Sequence, residues 1–128
     1  MKAFLNISLF NYLNRPIFDV SVNGTDFGGA LEHSFYGANA VMVDQPVTLG
    51  AMKVTWRLDG PEGMSGNGNT VAAKNTPTIS EISKDIRWLA LHIYPDDTIE
   101  IKLSNTRDGL QADRGAKIMD EWRSKHAE

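Results

Sequence analysis

The chain has no cysteine. Disulfides, thiolate metal sites and cysteine nucleophiles are therefore excluded, and the redox compartment stays open, because a cysteine-free domain suits any compartment. A long apolar run is also missing. No stretch approaches the roughly 18 apolar residues of a membrane span. Asn6, Ser8 and Asn11 interrupt the amino-terminal MKAFLNISLF, which makes it a poor export signal. Read literally the chain is cytoplasmic; one whose export signal had been removed would read the same. Excess positive charge is absent too. The formal net charge is −3 and the basic residues are scattered, so the counterion-displacing surface that nonspecific nucleic-acid binding requires is not expected.

Catalytic signatures are equally sparse. Of the three histidines, no two stand at HExxH or HxH spacing, so a zinc site is not expected. No GxSxG elbow, no GxxxxGK[ST] and no GxGxxG occurs. Asp59, Glu62, Asp96 and Asp97 lack the DxDxDG rhythm of a calcium loop, and turn chemistry accounts for Asp96-Asp97. No enzyme, cofactor or metal is expected.

What the chain does have is alternation. At 128 residues it reads as one domain, residues 1–128. A chain of this length buries roughly two-thirds of its unfolded surface, enough for a core without staples. The stretch from Ile86 to Ser104 reads IRWLALHIY, then Pro95-Asp96-Asp97, then TIEIKLS. Two alternating runs around a polar turn predict a β-hairpin. Its first arm is apolar on both faces, with Leu89, Leu91 and Ile93 on one and Trp88, Ala90 and Tyr94 on the other. Such a strand belongs inside a sheet covered on each side. His92 falls on the Trp88 face, where a hydrogen-bonded structural role is expected.

Residues 3–12 alternate as a strand, stopped at Asn14-Arg15-Pro16. Residues 17–22 follow as a second strand, and Asn23-Gly24 is the strongest hairpin-turn signal in the chain. Strands one and two are expected to pair as a hairpin. Residues 26–40 read as an irregular connection with one short strand, 41–43 as a short edge strand, and Pro46 to Gly50 as a turn. MKVTWRL, residues 52–58, alternates cleanly. Residues 78–85 fit a helical turn or an edge strand equally well. From Asp113 the period becomes helical, with Ile118, Met119 and Trp122 on one stripe. The expected fold is mainly β: a single-domain antiparallel β-sandwich of about seven short strands with a short C-terminal helix.

Residues 59–70, DGPEGMSGNGNT, carry four glycines, a proline and two asparagines. This is a long exposed loop between strands, read as flexible. Loops on β scaffolds often carry recognition. Asp59, Glu62, Met64, Asn67 and Asn69 are thus the candidate partner-binding residues, with Met64 as apolar anchor beside acidic groups. A second reading is a binding module for a glycan or other small ligand. It would need Tyr36, Trp56 or Trp88 exposed on a shared concave face, whereas the tryptophans read first as core anchors.

Three segments taken in order carry a family resemblance. NYLNRPIFDVSVNG (11–24) joins an Asn-Tyr pair to a strand ending in Val-Asn-Gly, with Gly28-Gly29 just beyond. VTLGAMKVTWRLDG (47–60) sets a Gly before a Lys-Val-x-Trp strand. LALHIYPDDTIEIKLSN (89–105) places a His just ahead of a Pro-Asp turn. This order resembles a family of small bacterial lipoproteins of formally unassigned function, many encoded beside phospholipase effectors of the type VI secretion system. The resemblance implies an immunity protein that binds and neutralises a cognate phospholipase effector in the periplasm, with His92 and Trp56 in structural roles. Members usually carry a lipobox cysteine after an export signal, and often a cysteine pair ahead of the Trp strand; this chain has no cysteine.

Overall fold

The computed structural model describes residues 2–33 and 41–126. Ten strands fall among them: Lys2–Asn11 (β1), Ile17–Val22 (β2), Thr25–Asp26 (β3), Val41–Thr48 (β4), Gly50–Ala51 (β5), Val54–Leu58 (β6), Thr70–Ala72 (β7), Thr78–Ile79 (β8), Trp88–Ile93 (β9) and Ile99–Ser104 (β10). A 3₁₀ turn, Arg107–Leu110, and a helix, Asp113–His126 (α1), complete the chain. The fold is mainly β, as its alternating patterns predict. The strands form one sheet of order β10-β9-β1-β4, a second of order β3-β2-β6-β7, and a two-stranded β5-β8 pair.

The hairpin centred on residues 94–98 forms as read. Ile93 stands opposite Ile99 and Leu91 opposite Ile101. Its first arm, β9, lies inside the first sheet with β1 on its other side. Leu89, Leu91 and Ile93 join Leu5, Ile7 and Leu9 of β1 in a core that also takes in Val20, Val22, Val54 and Trp56 of the second sheet. Trp56 is fully buried there. The opposite face of the first sheet builds a separate apolar cluster. Phe10, Tyr12, Ala90 and Tyr94 pack with Leu110 and Met119, and Trp88, Ile118 and Trp122 close over it. The short C-terminal helix thus supplies the cover that a two-faced strand requires.

Three expectations about connectivity need correction. β1 runs parallel to β9, Asn6 to Asn11 pairing in step with Trp88 to Ile93, so the scaffold is not wholly antiparallel. β1 and β2 do not form a hairpin, since they belong to different sheets. Asn11 explains the crossing. Its buried side chain donates to the carbonyls of Arg15 at 2.9 Å and Leu31 at 3.1 Å, and accepts from the Leu13 amide at 3.0 Å. A side chain that satisfies the backbone of a corner lets the chain leave one sheet for the other without orphaned polar groups. The Asn23-Gly24 turn instead joins β2 to β3, with positive φ at both positions as a type I′ turn requires.

The third correction concerns Pro46. It does not start a turn but lies within β4, opposite Phe4. β4 is the edge strand of its sheet, where a residue without an N–H is tolerated. Residues 78–79 resolve the open alternative as a two-residue strand paired with β5. Of the short strand expected within 26–40, Asp26 ends β3 and Ala30 bridges Ile17. Residues 34–40 lie outside the described residues.

Candidate partner-binding loop and a cavity beside the helix

The loop between β6 and β7 is a chain of closed turns. The Met64 amide donates to Pro61 O at 3.0 Å, Asn67 to Met64 O at 3.3 Å and Asn69 to Gly66 O at 2.9 Å. In each four-residue turn the third position is a glycine: Gly63, Gly66 and Gly68, with φ of 84°, 86° and 83°. Positive φ at that position is what a type II turn demands, and glycine adopts it without penalty. The composition that reads as low complexity is therefore a turn code. The segment read as a flexible loop folds into three successive hydrogen-bonded turns.

One side chain holds these turns to the body. Arg15 donates from Nε to Asp59 O at 2.8 Å, from Nη1 to Ser65 O at 2.9 Å and from Nη2 to Asn67 Oδ1 at 2.9 Å. Charge-assisted bonds are stronger than neutral ones, and a planar guanidinium fixes direction as well as distance. The Asn67 amide then donates to Pro61 O at 2.9 Å, and Asp59 N–H donates to Pro16 O at 3.0 Å. Asp59, Glu62, Met64, Asn67 and Asn69 are all exposed. Asn67 is committed at both ends to the loop itself, so its role here is to shape the loop. Met64, Glu62 and Asp59 remain exposed on the loop surface, with Asp59 Oδ1 accepting from the Gly60 amide at 2.8 Å.

A different kind of site lies on the far face of the first sheet. Tyr12, just past β1, hydrogen-bonds His92 Nδ1 at 2.7 Å, and His92 Nε2 meets Leu110 O at 2.9 Å. A carbonyl only accepts, so Nε2 carries the proton. Nδ1 then accepts from the Tyr12 hydroxyl, the neutral tautomer satisfying both bonds. Burial pushes the His92 pKa down to about 4 and the Tyr12 pKa well above its usual value. His92 also stacks on Phe10, ring centroids 4.4 Å apart. The expected structural role of this histidine is what the geometry describes.

Above this relay, between the 3₁₀ turn and α1, opens a cavity of about 550 Å³. Phe10, Tyr12, Leu110 and Met119 stand behind its wall, each almost fully buried. Gly115 and Ala116 keep the helix wall thin, and Arg107, Asp108, Asp120 and Arg123 bring charge. Arg123 pairs with Asp120 at 2.9 Å, and Arg107 lies over the Trp88 ring at 5.7 Å. The start of α1 is anchored independently. Arg114 reaches Asp96 at 3.1 Å and covers Tyr94 at 4.1 Å. Asp96 accepts from the Thr98 hydroxyl at 2.6 Å, and that bond leads the causes that hold its pKa down at about 2.

No family model, curated protein or solved structure matches this chain. The shared aromatic face that glycan stacking would need is not formed by Trp56 and Trp88: the first points into the inter-sheet core and the second toward the helix. Tyr36 lies outside the described residues. Among the described residues no three His, Asp or Glu side chains gather to hold a metal, and no helix is long and apolar enough to cross a membrane. Sequence reasoning passed over Arg15, Asn11 and Tyr12. The Asn-Tyr pair stood out only as part of a resemblance, and Arg15 only as part of a strand stop.

Proposed function

We propose that the protein binds another protein through the turn-built loop 59–69, and that this partner is a type VI secretion phospholipase effector which it neutralises as an immunity protein in the periplasm. The observation that carries the binding half is the grip of one guanidinium on three acceptors of an exposed loop. A recognition surface ordered before contact avoids much of the entropy cost of ordering it on contact. The loop offers Met64 as an anchor with Glu62 and Asp59 beside it, which suits a cleft lined with apolar and basic groups. The identity of the partner is supported by the three ordered segments that resemble the immunity-like lipoprotein family.

The deciding experiment is co-purification with a type VI secretion phospholipase effector, paired with rescue of cells from its toxicity. A complex at micromolar concentration and restored growth support the reading; absence of both removes it. A variant series localises the contact. Arg15→Ala should loosen residues 59–69 in amide exchange, leave β9 protected, and weaken the complex by about tenfold to a hundredfold through faster dissociation. Arg15→Lys should restore little, because an ammonium cannot reproduce the planar three-way grip. Unchanged affinity in both would place the contact surface elsewhere.

A further inference from the structure

We infer that Asn67-Gly68 is a covalent modification site of the loop, a succinimide-forming pair that the grip of Arg15 holds unreactive. The chain has two Asn-Gly steps, Asn23-Gly24 and Asn67-Gly68, and Asn67 is exposed to water. Asparagine before glycine is the pairing most open to deamidation. Glycine neither shields its own nitrogen nor resists the backbone rotation that the reaction needs. In that reaction the Gly68 nitrogen attacks Asn67 Cγ. The N–Cγ bond forms, the Cγ–Nδ2 bond breaks, and the amide proton leaves with Nδ2 as ammonia. Water then opens the five-membered ring at either carbonyl. One opening gives aspartate and the other isoaspartate, whose main chain is one carbon longer.

Each group that must move is held. The Gly68 amide, the nucleophile, donates to Leu58 O at 2.8 Å. Asn67 Nδ2, the leaving group, donates to Pro61 O at 2.9 Å, and Asn67 Oδ1 accepts from Arg15 Nη2 at 2.9 Å. Asn67 is also the second residue of the turn closed by the Asn69 amide on Gly66 O, with Gly68 at φ 83° in third place. That type II geometry swings the following nitrogen away from the asparagine side chain. Ring closure therefore needs the loop to open, and opening needs Arg15 to release Asp59 O, Ser65 O and Asn67 Oδ1. A local opening of this kind, rather than global unfolding, sets the rate.

The product cannot close as before. Either acid loses the donor to Pro61 O and sets a carboxylate against that carbonyl. Isoaspartate also lengthens the backbone inside two of the turns, which takes the Gly68 amide out of step with Leu58 O. The change is one-way, so Arg15 governs how long the loop keeps its shape. The effect on partner binding rests on the reading proposed above; the chemistry does not.

The test incubates the full chain at mildly alkaline pH and follows both Asn-Gly steps by peptide mapping. A sample in urea supplies the unprotected rate of each. In the folded protein Asn67 should react more slowly than in urea by about tenfold or more. Arg15→Ala should raise the Asn67 rate by about tenfold. Asn23 should not respond, since its side chain bonds Ala51 O and the Lys53 amide and makes no use of Arg15. Folded protein that deamidates at Asn67 as fast as in urea overturns the protected site. An unchanged Asn67 rate in Arg15→Ala overturns the role of the grip. Equal acceleration at both steps overturns it too, because the arginine would then hold the whole fold rather than the loop. Protein carrying isoaspartate at position 67 should also lose affinity for the effector. The expected rates with affinity intact would support the modification site and remove the loop as the contact surface.

Discussion

Lowering the pH from 6.5 to 4 should remove about 3 kcal/mol of stability through His92 alone. The folded chain holds this imidazole neutral, with its pKa pushed down to about 4 chiefly by burial. The Leu110 carbonyl and Glu100 act in the opposite direction and Lys102 adds to the lowering, but burial outweighs them. In the unfolded chain the group regains its ordinary value near 6.5. Above that pH both states are neutral at this residue and the contribution is fully present. Between 6.5 and 4 the unfolded state binds a proton that the folded state refuses, so stability falls as pH falls. Below 4 both states are protonated and the loss levels off. Protonation also sets two donors against each other, since Nδ1–H would face a Tyr12 hydroxyl that now needs another acceptor.

Denaturant titrations at several pH values would read this directly. Carboxylates titrate in the same window, so the comparison with His92→Gln isolates the histidine. The variant should be less stable at pH 7 but flatter between 6.5 and 4, by about one proton. Identical slopes in the two proteins would mean that His92 is not held neutral in the fold. Against a typical stability of about 5–15 kcal/mol the loss is large, and it would surface as acid sensitivity.

The hairpin of β9 and β10 was legible because both its signals are local: period-two alternation on each arm and a Pro-Asp-Asp turn between them. The helix was legible for the same reason, from the Ile118, Met119, Trp122 stripe. Pro46 misled because the penalty for a missing N–H depends on whether a strand has one neighbour or two, and that is a property of the sheet. The parallel pairing of β1 with β9 joins residues about eighty positions apart, a distance no local pattern reports. Asn11 is a polar residue at the end of an alternating run, indistinguishable in sequence from an ordinary strand end. Only the corner it satisfies makes it structural.

The functional residues divide along the same line. Asp59, Glu62 and Met64 could be named from composition, since glycine-rich polar segments go to the surface. Their order could not, because the Arg15 that holds them lies 44 positions before Asp59. The glycine spacing itself held part of the answer: Gly63, Gly66 and Gly68 each take the third place of a turn, a pattern that marks structure where composition suggests disorder. The cavity was invisible in sequence, because Phe10 and Arg123 meet there only through the packing of α1 on the first sheet.

That packing rests on one glycine, and Gly115→Ala should destabilise the protein by about 1 kcal/mol net although it improves the helix. In an exposed helix the same change would stabilise by about 1 kcal/mol. Here Gly115 is buried, and a Cβ at this position would overlap the Tyr12 hydroxyl and lie 3.1 Å from its Cε1. The tyrosine has little freedom to withdraw. Its hydroxyl is held by His92 Nδ1, and its ring is stacked on His92 and on Tyr94, centroids 5.7 Å and 5.2 Å away. Overfilling a packed site of this kind costs about 1–3 kcal/mol, more than the helix gains. Ala116→Gly supplies the control. At that exposed neighbour the reverse exchange should cost about 1 kcal/mol from helix preference alone. Both substitutions should therefore lower the denaturation midpoint, in opposite chemical directions one residue apart. The clash has one escape, which is for α1 to lift from the sheet. That movement would part Met119 from Phe10 and widen the cavity between them. Gly115→Ala should then change the near-ultraviolet signal of the Tyr12–Tyr94 stack as well as weaken the fold. A stabilised Gly115→Ala would show that the helix does not lie on Tyr12.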